Sequence, residues 1–437
     1  MESLFSEIPS KIYYEGTKSK SRLAFRYYNR EQIINGKTME EHLKFAVAYW
    51  HAFRGTGQDP FGQDTFNRPW VKYSDPMDVA KATLDAAFEF FSILGIKYYC
   101  FHDRDLAPEG KNFTESCKNL ETMVNLAKSY QAETNTKLLW GTANLFSHPR
   151  YMHGAGTNPD VHVFAYAASQ VKQAIFATME LKGENYVFWG GREGYDTLLN
   201  TDMKKEAQQM ASLFHMAVDY AEKIGFKGQF LIEPKPKEPA KHQYDYDSAT
   251  VLNFLKTHGL SDHFKLNIEA NHATLAGHSF AHELTVASDA GKLGSIDINQ
   301  GDPLLGWDTD QFPTNLYDSI YAMLIVQKQQ GIGKGGLNFD AKLRRGSTDI
   351  KDLFYAYIGG MDTFARGLLI ADEIIKSKLL DDFIFKRYQS WSKKLGAEIL
   401  AQNSDFIEME NYIKEHGEPV FKSGRQEYLE NIINAYI

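Results

Sequence analysis

The chain has few of the features that mark secreted or membrane proteins. Its 437 residues include two cysteines, Cys100 and Cys117, which are too few for a disulfide framework in a chain of this length. No apolar stretch approaches the roughly 20 residues that a membrane-spanning helix needs, and the N-terminal residues do not form the pattern of a secretory signal peptide. We therefore expect a cytoplasmic protein that does not bind membranes.

An excess of basic charge is also missing. The chain has 48 Lys and Arg residues against 56 Asp and Glu residues, which gives a formal net charge of −8. A general nucleic-acid-binding protein needs a basic face to neutralise phosphates, and no Lys- or Arg-rich run provides one, so we expect no nucleic-acid partner. The composition, 43% hydrophobic and 24% charged, is typical of a folded protein with a sizeable core.

Short apolar segments recur along the chain and alternate with longer stretches of helical periodicity. Because this alternation implies parallel strand pairing, the sequence predicts an α/β protein. The number of segments favours a (β/α)8 TIM barrel over a doubly wound sheet. The eight predicted strands are Val47–Trp50, Lys97–His102, Lys137–Thr142, Tyr186–Trp189, Phe230–Glu233, Lys265–Glu269, Ser295–Asn299 and Leu337–Asp340.

Two of the intervening helices have clear ends in the sequence. Asp75 followed by Pro76 predicts the start of one helix, and Gly95 predicts its end. A second apolar stripe runs from residue 210 to residue 224, and Gly225 follows it. Both helices fall between predicted strands, as a barrel requires.

The last part of the chain differs from the rest. The strand pattern stops near residue 374, and helix-like segments with scattered apolar residues continue to Ile437. We therefore predict a barrel domain over residues 1–373, with an N-terminal extension over about residues 1–45, and a C-terminal helical arm over residues 374–437. We expect the arm to pack on a neighbouring subunit, and packing on its own barrel is the alternative.

Four predicted strands end in a carboxylate. The strand ends of a barrel meet at one face, where active sites are built. Four carboxylates brought together there would repel one another unless cations lay between them. A single strand-end acid is more often a solvated residue or a helix cap, but four together indicate a metal site. They are Glu233, Glu269, Asp297 and Asp340.

Three more residues extend this prediction to a second ion. His272 follows Glu269 by three positions, and Asp308 and Asp310 alternate in the segment WDTD. An alternating pair in an extended chain points to one side. Glu269, His272, Asp308 and Asp310 could surround one ion, and Glu269 could be shared with the four-carboxylate site. A donor set of carboxylates with one imidazole favours Mg²⁺ or Mn²⁺, or Co²⁺, over zinc.

Further candidates lie at other strand ends. His102 and Asp105 could form a general acid–base pair, although a lone His at a strand end is more often structural. Lys235 lies two residues after a strand-end acid and could polarise a substrate oxygen, or be a solvated loop charge. Trp140 and Trp189 could wall a pocket, although large aromatic residues are more often core.

Two motif matches carry no prediction. Gly331, Gly333 and Gly336 match the dinucleotide-binding pattern but precede a strand rather than a helix. The segment HELTV that begins at His282 lacks the second His of a zinc protease.

Several long motifs resemble those of xylose isomerases. They are FHDRDLAPEG, WGTANLFSHPRYMHGA, ENYVFWGGREGYDTLLNTD, FLIEPKPKEP, KLNIEANHATLAGH, GWDTDQFPTN and GGLNFDAKLRR. The resemblance extends from about Phe45 to the C-terminus, and the residues before the first strand suggest the longer, class II type. It implies a (β/α)8 barrel whose C-terminal arm embraces a neighbour, usually in a homotetramer.

The resemblance also implies a role for each candidate. It makes Glu233, Glu269, Asp297 and Asp340 the ligands of the metal that holds the sugar, and Glu269, His272, Asp308 and Asp310 the ligands of a second, catalytic metal. His102 with Asp105 would assist ring opening, and Lys235 would bind the oxygen on carbon 1. Trp140, Thr142 and Trp189 would line the pocket, and Phe61 would reach a neighbouring subunit's site.

The expected reaction is the interconversion of D-xylose and D-xylulose, with D-glucose and D-fructose as a side activity. It would use two divalent cations per subunit, Mg²⁺ first, through ring opening and a metal-assisted hydride shift. We favour the hydride shift over an enediol because an enediol needs a base beside carbon 2, and we expect no carboxylate there to stay free of metal. A metal-dependent phosphodiesterase and a non-catalytic sugar-binding protein are the alternatives from other classes.

Overall fold

Eight parallel strands close into a barrel in the computed structural model, which describes residues 3–437. The barrel closes where Leu337 of the last strand pairs with Phe45 of the first. The strands are β1 (Phe45–Ala48), β2 (Tyr98–His102), β3 (Lys137–Thr142), β4 (Asn185–Trp189), β5 (Gln229–Glu233), β6 (Phe264–Glu269), β7 (Leu293–Asp297) and β8 (Leu337–Phe339). The predicted (β/α)8 barrel is confirmed, and the doubly wound alternative is wrong.

One long helix follows each strand. The helices are α1 (Pro76–Leu94), α2 (Phe113–Thr134), α3 (Val161–Glu180), α4 (Met203–Ile224), α5 (Ser248–Thr257), α6 (Phe280–Asp289), α7 (Leu316–Lys328) and α8 (Ile350–Ser377). The Asp75 carboxylate caps α1 by accepting hydrogen bonds from the N–H groups of Met77 and Asp78, and α1 ends at Gly95 with φ 74°. Gly225 ends α4 in the same conformation, so the predicted ends of both helices are confirmed.

The first strand lies two residues earlier than predicted, and this shift matters for the site. Strand β1 ends at Ala48, and residues Trp50–Arg54 form a single wide helical turn. Trp50 and His51 therefore lie beyond the strand, at the face where the strand ends meet. Short helices follow two other strands at this face, at Asp103–Leu106 after β2 and at Ala270–Leu275 after β6.

The core lies mainly between the strands and the outer helices. Alternate residues of a strand face opposite sides. Phe45 and Val47 accordingly belong to the large cluster that includes the helices, whereas Ala46 belongs to a smaller cluster with Trp140 and Leu231. The outer helices therefore cover one face of the strands, and the strand ends carry polar side chains.

The segment before β1 packs on the barrel. Ile33–Ile34 pairs with Lys37–Thr38 in a small antiparallel ribbon, and the helix Met39–Leu43 leads into β1. The Phe5 ring lies 5.3 Å from the ring of Phe354 in α8.

The C-terminal segment contains helices α9 (Leu379–Tyr388), α10 (Lys394–Leu400), α11 (Phe406–His416) and α12 (Gln426–Asn434). Phe385, Phe406 and Phe421 of this segment are largely exposed. Ile433 of α12, by contrast, is buried with Ile374 of α8. The arm thus returns to its own barrel at its last helix and exposes apolar side chains before it. Within residues 3–437, no helix is both long and apolar enough to cross a membrane.

Candidate active site

Four acidic side chains meet at one end of the barrel. Glu233, Glu269 and Asp297 are the last residues of β5, β6 and β7, and Asp340 directly follows β8. Each offers one carboxylate oxygen, and these oxygens all lie within 4.8 Å of one another. Glu269 and Asp297 are paired in the parallel register of their strands, so the sheet itself sets them side by side.

A second group shares Glu269. Carboxylate oxygens of Glu269, Asp308 and Asp310 also lie within 4.8 Å of one another. His272 comes from the short helix after β6, and its Nε2 lies 3.3 Å from Glu269 Oε2 and 3.2 Å from Asp308 Oδ2. Asp310 has a φ of 42°, in the left-handed region that favours glycine. Backbone strain of this kind is found where a side chain must be held in a fixed direction.

Burial and mutual repulsion dominate the electrostatics of the first group. Desolvation and the neighbouring carboxylates raise the pKa values of Glu233, Glu269 and Asp297. Burial alone would also raise the pKa of Asp308, but His272 and Lys235 outweigh it and hold that pKa well below its usual range. Asp340 differs from the other three members of the first group, because hydrogen bonding and the charge of His51 outweigh burial and lower its pKa.

The donor set fits hard divalent cations. It consists of six carboxylates and one imidazole, and Mg²⁺ and Mn²⁺ prefer carboxylate oxygen. Amide groups hold some of the carboxylate oxygens in place: Asn267 Nδ2 donates to Glu233 Oε2 at 2.9 Å and to Asp297 Oδ2 at 2.8 Å. Asn299 Nδ2 donates to Glu269 Oε1 at 2.7 Å. Such outer hydrogen bonds orient ligand oxygens toward an ion.

His102 and Asp105 form a hydrogen-bonded pair beside the carboxylates. His102 ends β2, and its Nδ1 lies 2.8 Å from Oδ2 of Asp105 in the following short helix. The ring centroid of Trp50 lies 4.5 Å from that of His102 at an interplanar angle of 66°, so the two rings also pack edge to face. Because Nδ1 is engaged, Nε2 is the nitrogen that remains for a ligand.

Lys235 is buried and faces Asp308. Its Nζ lies 2.6 Å from Asp308 Oδ2 and 5.2 Å from the centre of the Trp189 ring. Burial alone would lower the pKa of Lys235, but the Asp308 carboxylate outweighs it and raises that pKa. The ammonium group therefore stays charged in the cavity.

These elements enclose a cavity of about 330 Å³, a size suited to a small polar molecule. It is lined by His102, Lys235 and all of the predicted metal ligands except Asp297. Trp140, Thr142 and Trp189 line the cavity, as the sequence predicts, together with Phe146. The Thr142 hydroxyl already donates to the Val187 carbonyl, at 2.6 Å. In the part of the chain that the structure describes, the indole N–H groups of Trp140 and Trp189 have no hydrogen-bond partner, so both can donate to a ligand.

Phe61 does not join this cavity. Its side chain is 92% exposed and lies in the loop between β1 and α1. A role in a neighbouring subunit's site stays a prediction.

Several residues of the site were missed in the sequence. His51 Nε2 lies 2.9 Å from Asp340 Oδ1 and 3.4 Å from Asp310 Oδ2, and Trp50 Nε1 donates to Asp340 Oδ1 at 3.0 Å. Both follow β1, so extending the strand-end argument to the first strand would have found them. Lys342 Nζ lies 2.8 Å from Asp310 Oδ2, two residues beyond Asp340.

Glu238 is a further carboxylate on the cavity wall. Its Oε2 accepts a hydrogen bond from the Asp308 N–H at 2.8 Å and lies 3.7 Å from Lys235 Nζ. Glu238 therefore lies at the cavity outside the predicted ligand set, and the expectation that no metal-free carboxylate remains there is wrong.

The chain is similar over almost its full length to known proteins. The chain is 58% identical over 437 residues to the xylose isomerase of Thermotoga maritima, covering 100% of this chain and 98% of that protein. It is also 58% identical over 428 residues to the xylose isomerase of Geobacillus stearothermophilus, covering 98% of this chain and 97% of that protein. A family model described as the XylA2 C-terminal domain matches residues 384–437.

Solved structures with much lower identity share the fold. A D-psicose 3-epimerase from Clostridium cellulolyticum H10, solved with D-tagatose, has a TM-score of 0.52 and 11% identity, and the match covers 75% of this chain and 99% of that one. This likeness supports the barrel alone. Full-length identity of 58% to curated relatives is decisive for the family, and the chain belongs to the xylose isomerases.

Proposed function

We propose that this protein interconverts D-xylose and D-xylulose, with D-glucose and D-fructose as a slower side activity. One observation carries the proposal: three of the strand-end carboxylates, Glu233, Glu269 and Asp340, line one cavity of about 330 Å³ together with His102 and Lys235. Family membership favours an isomerase over the phosphodiesterase and sugar-binding alternatives.

We further propose that two divalent cations, Mg²⁺ first and Mn²⁺ or Co²⁺ otherwise, occupy the two carboxylate groups of each chain. Glu233, Glu269, Asp297 and Asp340 would hold one, and Glu269, His272, Asp308 and Asp310 the other. When bound, the cations supply Lewis-acid polarisation of the sugar oxygens. The oxygen-rich donor set and the shared Glu269 support this assignment.

His102 and Asp105 would act in ring opening. The sugar ring opens when the hydroxyl on carbon 1 loses its proton and the ring oxygen gains one. His102 Nε2 can accept the first proton and return it to the ring oxygen, because Nδ1 is fixed on Asp105 at 2.8 Å. Asp105 orients the imidazole and stabilises its protonated form.

Lys235 would donate to the oxygen on carbon 1. Its ammonium group has three donors, and Asp308 accepts from one of them at 2.6 Å. The bond to Asp308 therefore sets the direction of the amine and leaves donors for the substrate. Since the group remains charged, it stabilises negative charge that develops on that oxygen.

The aromatic wall favours a hydride shift from carbon 2 to carbon 1. Trp50, Trp140, Phe146 and Trp189 line the cavity and exclude water from the reacting carbons. Glu238 is a candidate base for the enediol route, but its Oε2 is engaged by the Asp308 N–H. Turnover in deuterium oxide separates the routes: substantial solvent deuterium at carbon 1 of the product would rule out the hydride shift.

The assembly and location belong to the same proposal. We infer a cytoplasmic homotetramer in which the arm over residues 374–437 packs on a neighbour and Phe61 reaches a neighbouring cavity. The exposed Phe385, Phe406 and Phe421 support an intersubunit surface, since large apolar patches rarely face water. Light scattering of the intact chain tests this, and a monomer at micromolar concentration would contradict it.

Substrate range is tested by product analysis. The metal-loaded protein is incubated with D-xylose and, separately, with D-glucose, and the ketose is measured by chromatography. We expect faster formation of D-xylulose than of D-fructose. Folded protein that forms neither ketose with Mg²⁺, Mn²⁺ or Co²⁺ would contradict the proposal.

A further inference from the structure

Histidine and carboxylate side chains also cluster outside the cavity, where α5 and α6 begin. His278 precedes α6, His282 and Glu283 lie in its first turn, and Asp247 caps the start of α5. One ring nitrogen each from His278 and His282 and one oxygen of Glu283 lie within 4.8 Å of one another. All four residues lie outside the set that lines the sugar cavity.

Glu283 is buried with one oxygen aimed at the two imidazoles. Its side chain is 5% exposed, and its Oε2 accepts hydrogen bonds from the backbone N–H of Ser248 at 2.8 Å and from the Ser248 hydroxyl at 2.7 Å. Across residues 3–437, Oε1 accepts no hydrogen bond, and it lies 4.0 Å from Nε2 of both His278 and His282. A separation of 4.0 Å is too long for a hydrogen bond, but it leaves space for a cation between the atoms.

Asp247 provides a fourth donor at the same place. Its Oδ1 accepts from the Thr250 N–H at 2.8 Å and is used for capping. Its Oδ2 lies at hydrogen-bond distance from His278 Nε2, 3.3 Å, a contact that a bound cation would replace. Tetrahedral zinc with ligands at about 2.0–2.1 Å places neighbouring donor atoms about 3.3 Å apart. The separation between Asp247 Oδ2 and His278 Nε2 already has this value. The separation between His282 Nε2 and Glu283 Oε1 is longer, 4.0 Å, but His282 is half-exposed and its ring can rotate to shorten it.

We propose that His278, His282, Asp247 and Glu283 form a site for a transition-metal dication, with Zn²⁺ as the reference ion. Two imidazoles and two carboxylates suit Zn²⁺ and Co²⁺, whereas Mg²⁺ prefers an all-oxygen set such as the four carboxylates Glu233, Glu269, Asp297 and Asp340. The bound ion fastens the start of α6 to the start of α5. The short helix Ala270–Leu275, which carries His272, lies just before this proposed metal site in the chain.

The proposal is tested by counting zinc on the intact protein. Protein saturated with millimolar Mg²⁺ is dialysed against micromolar Zn²⁺, and the bound zinc per chain is measured for the wild type, His278→Ala, His282→Ala and Glu283→Gln. His263→Ala is the matched control, because His263 is an exposed histidine outside the cluster. Zinc that enters the cavity is common to all five proteins and cancels in the comparison.

We expect the wild type and His263→Ala to bind one more zinc ion per chain than either cluster histidine variant. Equal counts in all proteins would overturn the site. Loss in His278→Ala with full binding in His282→Ala would also overturn it, because that result leaves only the pair of His278 with Asp247. Zinc should raise the unfolding temperature of the Mg²⁺-saturated wild type and not that of His282→Ala. An equal rise in both proteins would contradict the proposal that zinc bound at this cluster stabilises the fold.

Discussion

His51 Nε2 lies 2.9 Å from Oδ1 of Asp340, so an imidazole contacts one of the carboxylates proposed to hold the sugar-binding cation. Burial alone would lower the pKa of His51, but the hydrogen bonds to Asp310 and Asp340 outweigh it and raise that pKa to about 9. The protonated ring therefore acts as an internal counter-ion for the metal-free chain.

This contact predicts a pH-dependent stability difference for His51→Asn. A histidine whose pKa is higher in the folded chain stabilises the fold fully at pH values below its pKa in the unfolded chain, about 6.5. That stabilisation is lost as pH rises through the pKa in the folded chain. In metal-free protein, the variant should unfold a few degrees below the wild type at pH 6, and the gap should close above pH 9. Thermal unfolding at matched scan rates measures it; a gap that stays constant across this range would contradict the counter-ion role.

Glu269→Gln should have the opposite effect on the metal-free protein. Burial and the charge of Asp308 raise the pKa of Glu269 in the folded chain. Ionisation of this carboxyl group therefore destabilises the folded state as pH rises above the pKa that the group has in the unfolded chain. The variant removes one repelling charge, and metal-free Glu269→Gln should therefore unfold at a higher temperature than the wild type at pH 8.

Metal should then stabilise the wild type and have little effect on Glu269→Gln, which lacks the shared ligand. The exposed Glu31→Gln is the control and should respond to metal as the wild type does. Equal stabilisation of Glu269→Gln by metal would mean that the two sites do not share this residue.

Asp308→Asn should separate turnover from sugar binding. Asp308 belongs to the second group and orients Lys235, whereas the four-carboxylate group does not include it. We expect turnover to fall by about 100-fold or more, with D-xylose affinity in the presence of Mg²⁺ changed little. Asp302→Asn on the same loop is the control. Unchanged turnover in Asp308→Asn would refute the assignment of the catalytic cation.

Asp105→Asn should affect proton transfer without affecting metal affinity. The Asp105 carboxylate fixes His102 through Nδ1, and an amide does not stabilise the protonated imidazole equally well. We expect a turnover loss of about 10–100-fold and a changed pH profile. Metal titration of the same variant is the second readout, and a matching loss of Mg²⁺ affinity would place Asp105 in the metal site.

The strand-end acids could be predicted because they follow from topology. Parallel strands bring their carboxyl ends to one face, so Glu233, Glu269 and Asp297 had to meet once the barrel was inferred. The sequence could not provide distances across loops. The approach of Asp308 to Lys235 depends on how the chain after β7 folds back, which no local pattern encodes.

The missed residues illustrate the same limit. His51 and Trp50 are the exception, because they lie at the predicted end of the first strand and the strand-end argument reaches them, although β1 itself ends at Ala48 and a helical turn follows. Lys342 and Glu238 lie in loops and look like ordinary surface charges in the sequence. Their role depends on tertiary contacts with Asp310 and Asp308.

The most direct test of the account is metal-dependent ketose formation. Protein stripped of metal is assayed for D-xylulose from D-xylose before and after Mg²⁺ is added, with Glu269→Gln as the matched variant. We predict no product without metal, restored turnover in the wild type with Mg²⁺, and none in Glu269→Gln. Equal turnover by the wild type with and without metal would contradict the central claim that the carboxylate groups act through bound cations.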